Sequence, residues 1–228
     1  MSDAAPRPGH TQRESVFRRP VRGARGPAPA HSRDDIVAAA IAIADSDGLA
    51  AVSMRAVAKR LDTGAASLYR YLSSRDDLLD LMADRVATEL RPYPEPDGDW
   101  LDGMVRMAHA QRAVHERHPW LAELSRRPSA IGPEALAFFD ACLRVMEPVP
   151  ASVMAKFEAV ATMNGISILF ARQRTGGEAF TFAGLDVTRY PHLAAALAQA
   201  PAAPPAIDLF ERAQRSLLRG LLTPTWQA

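Results

Sequence analysis

The apolar residues at the start of the folded part of the chain recur at the three- and four-residue spacing of an amphipathic helix. Ser32 and Asp35 have the spacing of a capping box, in which each side chain bonds the other residue's backbone. The apolar stripe that follows ends at Gly48, a residue suited to a left-handed C-cap. The pattern therefore predicts a first helix over residues 33–46.

Two short helices joined by a tight turn are predicted next. Ser53 can cap a helix whose buried side runs from Met54 to Leu61. Residues 62–64, Asp-Thr-Gly, are typical of a turn, and residues 65–72 resume helical spacing. Two short helices around such a turn are the pattern of a helix-turn-helix.

A fourth helix and a linker follow this pair. Ser74 and Asp77 repeat the capping-box spacing and predict a helix that continues to Pro92. The proline- and glycine-rich segment Tyr93–Asp99 is the clearest internal linker. Beyond it the pattern stays helical, and no strand alternation persists. Helices are predicted near 99–117, 119–126, 133–146, 150–173, 191–199 and 206–221.

The fold class expected from these patterns is all-α. A three-helix helix-turn-helix module for DNA binding would occupy residues 31–91, and a larger helical domain would occupy residues 92–228. Residues 1–30 hold five prolines and six arginines against two acidic residues, which predicts a disordered basic arm. This arm either keeps the protein soluble or contacts DNA.

Charge restricts where nucleic acid could bind. The whole chain has 27 basic and 26 acidic residues, so attraction to DNA requires a local patch. Residues 31–91 contain eight basic and ten acidic residues, which is unusual for a DNA-binding module. Four of the acidic residues belong to the fourth helix and can lie away from DNA.

Composition points to a cytoplasmic protein without a membrane partner. Hydrophobic residues make up 48% of the chain and charged residues 23%, as in ordinary globular proteins. The single cysteine, Cys142, cannot form an internal disulfide, and the first thirty residues lack the apolar core of a signal peptide. The longest uninterrupted apolar runs are shorter than the ~20 residues that span a bilayer.

A helix-turn-helix places its second helix in the major groove, which requires small residues near the duplex and polar or basic residues facing it. Residues 64–67 supply the small side chains. Arg55 can reach a guanine edge or a phosphate, and Arg75 lies at a helix N-terminus, where a phosphate is favoured. The candidate DNA-contacting residues are Ser53, Arg55, Gly64, Ala65, Ser67, Tyr69, Arg70, Tyr71 and Arg75.

Three sequence runs resemble the DNA-binding domain of tetracycline-repressor-type (TetR family) transcriptional regulators. They are SMRAVAKRL at 53–61, SLYRYL at 67–72 and SRDDLL at 74–79, and the resemblance covers roughly residues 32–88. It implies an all-helical homodimer that binds palindromic operator DNA and releases it when a small molecule enters the C-terminal domain. It also implies DNA contact by Arg55, Ser67, Tyr69, Tyr71 and Arg75, and a four-helix dimer interface from the helices near 150–173 and 206–221.

The chain departs from the family pattern in the turn. Asp62 stands where the family usually has a glycine, and Thr63 where it usually has an aliphatic residue. Aspartate tolerates the left-handed conformation better than most residues, so the turn can survive. Gly64 falls where some relatives read a base and has no side chain to do so. Specificity is then expected from Arg55, Ser67 and Arg70 or from DNA shape.

The C-terminal half contains candidate effector-binding residues. One face of the helix after the linker combines an aromatic residue, two thioethers and two polar groups, and Asn164 is a polar residue inside an apolar run. Such a face fits either an apolar pocket with polar anchors or an ordinary core. The candidate residues are Trp100, Met104, Met107, Gln111, His118, Phe138, Phe139 and Asn164.

No catalytic, cofactor or metal site is predicted. His115 and His118 have a spacing compatible with metal binding, but no nearby pair completes the ligand set. No phosphate-binding loop, nucleophile elbow or zinc-helix motif is present, so an enzyme is not expected. The remaining alternative is a helical ligand-binding or interaction protein that does not bind DNA, which Gly64 and the acidic module would suit.

Overall fold

The computed structural model describes residues 16–18, 31–96, 98–174, 186–199 and 208–223. All regular elements in these ranges are helical, which confirms the predicted all-α fold class. The helices are α1 (Arg33–Asp47), α2 (Met54–Arg60), α3 (Ala65–Leu68), α4 (Arg75–Ala87), α5 (Trp100–Arg117), α6 (Leu121–Leu124), α7 (Pro133–Val145), α8 (Val153–Arg174), α9 (Pro191–Ala198) and α10 (Leu209–Leu222). Two 3₁₀ turns, Leu49–Ala51 and Thr88–Leu90, follow α1 and α4.

The chain divides into two compact units. The first comprises Met1–Arg91 and His118–Phe139, and the second comprises Pro92–Arg117 and Asp140–Ala228. The first break coincides with the boundary expected at residue 91. The segment 118–139 clusters with the first unit instead of the C-terminal domain, because its side chains bond to α1 and α4.

The caps of α1 largely follow the sequence pattern. Asp35 N donates to Ser32 Oγ over 3.1 Å, and Ser32 N donates to Asp35 Oδ2 over 2.8 Å, so the predicted capping box is present. The hydrogen bond from Ser32 N, together with a second one that Ser32 Oγ donates to Asp35 Oδ2 over 2.7 Å, lowers the pKa of the Asp35 carboxyl. Gly48 ends the helix with φ 80° and ψ 167°, which is a positive φ but outside the left-handed helical region predicted for the cap.

The cap of α4 differs from the prediction in one bond. Asp77 N donates to Ser74 Oγ over 3.1 Å, as expected. The Asp77 carboxylate, however, accepts from Ser73 N over 2.9 Å, where a capping box would have Ser74 N as the donor.

Residues of α4 also fix the segment 118–139. Arg127 Nη2 donates to Asp80 Oδ1 over 2.5 Å. Asp84 Oδ1 accepts the backbone N–H groups of Glu134 and Ala135, which opens α7. Gly132 lies so close that a Cβ there would be 2.2 Å from Asp84 Oδ1, so the approach of α4 to α7 requires glycine.

The basic arm lies mostly outside the described residues. Within it, residues 16–18 form a turn in the first unit, where Val16 is buried and its carbonyl accepts from Arg33 Nη2 over 2.9 Å. This short segment therefore packs against the fold, contrary to an arm that is disordered throughout.

The core of the second unit lies between α5, α8 and α10. Phe210 of α10 is buried. The centre of its ring lies 4.9 Å from the centre of the His109 ring on α5 and 5.4 Å from the centre of the Phe170 ring on α8. Met163 on α8 and Leu218 on α10 are also fully buried. The three helices thus share one apolar interior.

One helix in the described ranges, α8, is long and apolar enough over Val153–Arg172 to suit a membrane span by length and composition. Uninterrupted apolar runs did not reveal this, since Lys156 and Glu158 divide the sequence. One side of α8 packs on α5 and α10, while Phe157 and Leu169 on the other side are exposed. Within the described residues, α8 therefore carries exposed apolar side chains, among them Met154 and Leu169, on the side away from α5 and α10.

Candidate nucleic-acid interface and effector core

The turn of the helix-turn-helix is made by Asp62 in the left-handed region, with φ 50°. It is the one non-glycine residue with positive φ in the described ranges. Thr63 N donates to Ala58 O over 2.9 Å and closes the end of α2. The departure from glycine is therefore accommodated, at a cost of roughly 1–2 kcal/mol.

The second helix of the motif, α3, is shorter than predicted. It covers Ala65–Leu68, and the residues after it continue in tighter turns, with Tyr71 N donating to Leu68 O over 2.9 Å. Leu68 and Leu72 are buried and anchor this segment to the first unit. The prediction of a helix over 65–72 was wrong for its second half, although the apolar spacing correctly identified the buried side.

The start of α3 is open to an approaching partner. Gly64 caps the helix with φ −78°, and a Cβ there would meet nothing within 4 Å. Neither the backbone nor the packing therefore requires a glycine. Ser67 Oγ lies 2.6 Å from Gly64 O, to which it donates, and 3.0 Å from Thr63 Oγ1. Ala65 is half-buried beside them.

An exposed aromatic and basic surface follows α3. Tyr69 is 55% exposed, which is unusual for so large a side chain in a small module. Arg70 is exposed, and its guanidinium carbon lies 6.0 Å from the centre of the half-buried Tyr71 ring. Arg55 on α2 is also exposed. Ser53 caps α2 by accepting from Ala56 N over 3.1 Å.

Arg75 has a structural role that its position in the sequence did not suggest. Its Nε donates to Val52 O over 2.7 Å, and its Nη2 donates to Leu49 O over 2.9 Å. The guanidinium thereby ties the start of α4 to the 3₁₀ turn after α1. Contact between Arg75 and a phosphate stays a prediction, with three of its five N–H groups left for other partners.

Two of the predicted effector-binding residues meet in the second unit. Gln111 Nε2 of α5 donates to Asn164 Oδ1 of α8 over 3.2 Å, and His115 Nε2 lies 3.3 Å from the same oxygen. Met104 and Met107 are buried on α5, whereas Trp100 at its start is half-buried. These residues line the packed side of α5.

Cys142 is an inert buried thiol. It lies 3.6 Å from Met107 Sδ, and burial raises the pKa of its thiol far above the usual range. A thiol that stays protonated is a poor nucleophile and a poor redox sensor.

His118 does not share the α5 face on which its spacing placed it. Helix α5 ends at Arg117, and His118 Nδ1 lies 2.7 Å from Asp45 Oδ1 while its Nε2 lies 3.1 Å from Glu89 Oε1. Trp120 Nε1 donates to the same Asp45 oxygen over 2.6 Å. Proline at 119 ends the helical register, which turns His118 to α1.

Phe138 and Phe139 also belong to the first unit, where their rings form an edge contact with centres 6.5 Å apart. The structure therefore brings Gln111, Asn164 and the two methionines of α5 together in one unit and places the histidine and the two phenylalanines in the other. An effector-binding role for each of these residues stays a prediction.

The sequence interpretation missed Ser167 and Gln214, which are fully buried beside this group. A signal was present for Gln214: it occupies one position of the stripe formed by Phe210, Leu218 and Leu222, whose other members are apolar and buried. A lone amide in such a stripe indicates a buried polar contact.

An N-terminal helix-turn-helix unit followed by a second helical unit is an arrangement found among DNA-binding regulators. Residues 36–82 match the model of the bacterial regulatory proteins, tetR family, and residues 91–224 match that of the tetracyclin repressor-like C-terminal domain. The chain belongs to the tetR family of bacterial regulatory proteins.

Curated relatives agree with this assignment over part of their length. The HTH-type transcriptional repressor DrrR1 of Streptomyces coeruleorubidus is 37% identical over 157 residues, which are 67% of this chain and 57% of the relative. An HTH-type transcriptional regulator of Saccharopolyspora erythraea is 39% identical over 54% of this chain and 52% of its own length. The chain thus spans little more than half of these relatives.

Solved structures extend the likeness to most of the chain. The TetR family protein ActR of Streptomyces coelicolor in complex with actinorhodin is 29% identical, with a TM-score of 0.70 over 86% of this chain and 98% of that one. Apo ActR gives a TM-score of 0.69 at 28% identity, over 86% and 96%.

Proposed function

We propose that this protein is a cytoplasmic transcriptional repressor that binds a palindromic operator as a homodimer and is released by a small-molecule effector. The observation that supports DNA binding is the surface around α3. It combines the exposed side chains of Tyr69, Arg55 and Arg70 with Gly64, a glycine that neither the backbone conformation nor the packing requires. The similarity to a transcriptional repressor and to a transcriptional regulator supports the proposal. So does the actinorhodin complex of ActR, which makes a small-molecule effector the natural expectation.

The roles of the individual DNA contacts follow from this geometry. The bare backbone at Gly64 permits close approach to the duplex. Tyr69 and Arg55 are the exposed side chains with the reach and chemistry for phosphate or base contact. The Ser67 hydroxyl is already engaged within its own turn, so it contributes a second hydrogen bond at most. Arg70 adds positive charge at the same surface.

The homodimer would form through the exposed apolar faces of α8 and α10. Met154 and Leu169 on α8 and Leu209 on α10 are exposed among the described residues. Gly165 and Gly220 have open space around them, which lets a facing helix approach closely. A face of this kind on a regulator whose operator is palindromic suits a two-fold contact between two copies of the chain.

Footprinting the DNA that flanks the gene tests the function. Because a homodimer carries two helix-turn-helix units, we expect protection of two half-sites whose centres are separated by about one turn of the DNA helix or a multiple of it. Titration at several salt concentrations should show log K falling with a slope of about −0.9 per phosphate neutralised. If no site is protected and the measured affinity for DNA does not depend on salt concentration, the alternative is favoured: a helical interaction protein that does not bind DNA.

Dimer formation is tested by charging the exposed face of α8. Leu169 is 54% exposed, and we expect Leu169→Glu to yield a folded monomer that loses operator affinity, because two carboxylates would be buried against apolar residues. Light scattering measures the mass. Leu136, which is 57% exposed on α7, provides the matched control: Leu136→Glu should remain dimeric. A dimeric Leu169→Glu variant contradicts this interface.

A further inference from the structure

A group of polar side chains crosses the apolar core of the second unit, and we call it the polar seam. Its members are Gln111, His115, Asn164, Ser167 and Gln214. Ser167 Oγ, on α8, donates to Met163 O over 2.9 Å and lies 3.3 Å from Ala108 O of α5. Gln214 Nε2, from α10, donates to Met163 O over 3.1 Å and to Ser167 Oγ over 3.3 Å. The polar seam thus links all three helices.

Two amide oxygens of the polar seam have no donor. Gln111 Oε1 and Gln214 Oε1 are both buried without a hydrogen-bond partner among the described residues. Gln214 as a whole is 0% exposed. A buried acceptor left without a donor costs about 1–3 kcal/mol, so a methionine or leucine would suit a purely structural role better. Two such oxygens in one core therefore point to a donor from outside the chain.

The two oxygens, Gln111 Oε1 and Gln214 Oε1, belong to side chains that bond at successive helical turns along the contact between α5 and α8. Gln111 donates to Asn164 of α8, and one turn away along both helices Ser167 Oγ lies 3.3 Å from Ala108 O and accepts from Gln214 Nε2. One helical turn corresponds to about 5.4 Å. We therefore expect that a single small molecule can donate a hydrogen bond to each of the two oxygens.

The surroundings of the polar seam define the chemistry of that molecule. Met104, Met107, Met163 and Phe210 are buried around it, and thioethers adapt well to flat ring systems. The hydrogen bonds of Gln111 and Gln214 reach only uncharged groups. The guanidinium of Arg112 lies 5.0 Å from the centre of the Phe210 ring, but it is already paired with Glu116 over 3.0 Å. A charged ligand would therefore pay a large desolvation cost here.

We propose that the polar seam recognises the effector, and that the effector is an uncharged, largely apolar molecule whose hydroxyl groups donate to Gln111 Oε1 and Gln214 Oε1. This inference rests on the proposed ligand-responsive function and specifies the class of ligand. The unpaired oxygens are retained because the bound molecule satisfies them, and selectivity follows because an analogue without donors leaves both unpaired.

2,6-Dihydroxynaphthalene, a flat and neutral diphenol, is the probe for the full-length chain, and 2,6-dimethoxynaphthalene is the matched analogue without phenolic donors. We expect the wild-type protein to bind the diphenol at least tenfold more tightly than the dimethyl ether in calorimetric titrations. Gln111→Met and Gln214→Met should each weaken binding of the diphenol about tenfold, the effect of roughly 1.4 kcal/mol. Gln199→Met, at an exposed position after α9, is the control and should bind like wild type.

Equal binding of both compounds, unchanged binding by both glutamine variants, or no binding of the diphenol by the wild type each overturns the proposal. The comparison of the two compounds uses only the wild-type chain, so it holds even where one variant fails to fold. Operator affinity measured without any probe tests the proposed function separately from the proposed ligand class. If the protein binds the operator but the ligand test fails, only the ligand class is wrong. If the protein does not bind the operator, the proposed regulator function is wrong.

Discussion

Asp80→Ala is expected to lower the free energy of unfolding by about 3–5 kcal/mol, since it removes the carboxylate in direct contact with the partly buried Arg127 guanidinium, and the exposed Asp76 carboxylate 3.9 Å away compensates little. Asp80 lies on α4 with its side chain only 2% exposed, and its carboxylate receives Arg127 Nη2 at 2.5 Å. Its second oxygen accepts from Ala130 N over 3.3 Å. The substitution therefore removes both the ion pair and a hydrogen bond to the backbone, and these two contacts hold the segment 118–139 to α4.

Urea unfolding followed by circular dichroism measures this loss. Asp76→Ala is the matched control, because Asp76 is 56% exposed and its carboxylate lies 3.9 Å from Arg127. An exposed pair contributes about 0–1 kcal/mol, so this variant should unfold near the wild-type midpoint. If the two variants unfold alike, the Asp80–Arg127 pair does not hold the segment to α4.

Arg55→Ala and Tyr69→Ala are each expected to weaken operator binding by about 1–3 kcal/mol, or roughly five- to 150-fold. Both side chains are exposed in the first unit, so their loss should leave the free energy of unfolding within ~0.5 kcal/mol of wild type. A phosphate contact by Arg55 would also reduce the salt slope by about one unit. Fluorescence anisotropy with the footprinted duplex measures both quantities.

Arg75→Ala separates DNA contact from structural support. Because Arg75 bonds the carbonyls of Leu49 and Val52, we expect this variant to lose about 1–3 kcal/mol of stability. Arg55→Ala should show the reverse: weaker operator binding at full stability. Wild-type operator affinity in both Arg55→Ala and Tyr69→Ala would remove the proposed DNA contacts.

Local pattern in the sequence was sufficient to predict most of the helices. The capping residues Ser32, Ser53 and Ser74 each accept a backbone N–H at a helix start, as expected. The helices of the C-terminal half begin and end within a few residues of their predicted bounds. These features depend on hydrogen bonds and apolar spacing within a few residues of chain, which is the range over which sequence pattern carries information.

The candidate site was only partly predictable. The exposed Tyr69 and Arg55 followed from the side of the helix on which they lie. The extent of α3 did not, because residues 69–72 adopt tighter turns while Leu72 is held in the core. The sequence named Gln111 and Asn164 separately as polar anchors, but their hydrogen bond joins residues on two helices and depends on how those helices pack.

By itself, the sequence determined the all-α class, the helix-turn-helix with its aspartate turn, and the position of the linker, since each is encoded by neighbouring residues. Only the tertiary structure decided that Arg75 supports the turn after α1, that His118 bonds Asp45, and that Gln214 leaves an oxygen unpaired in the core. These outcomes depend on which groups meet across long stretches of chain. Periodicity states which side of a helix is buried, but packing alone selects the partner.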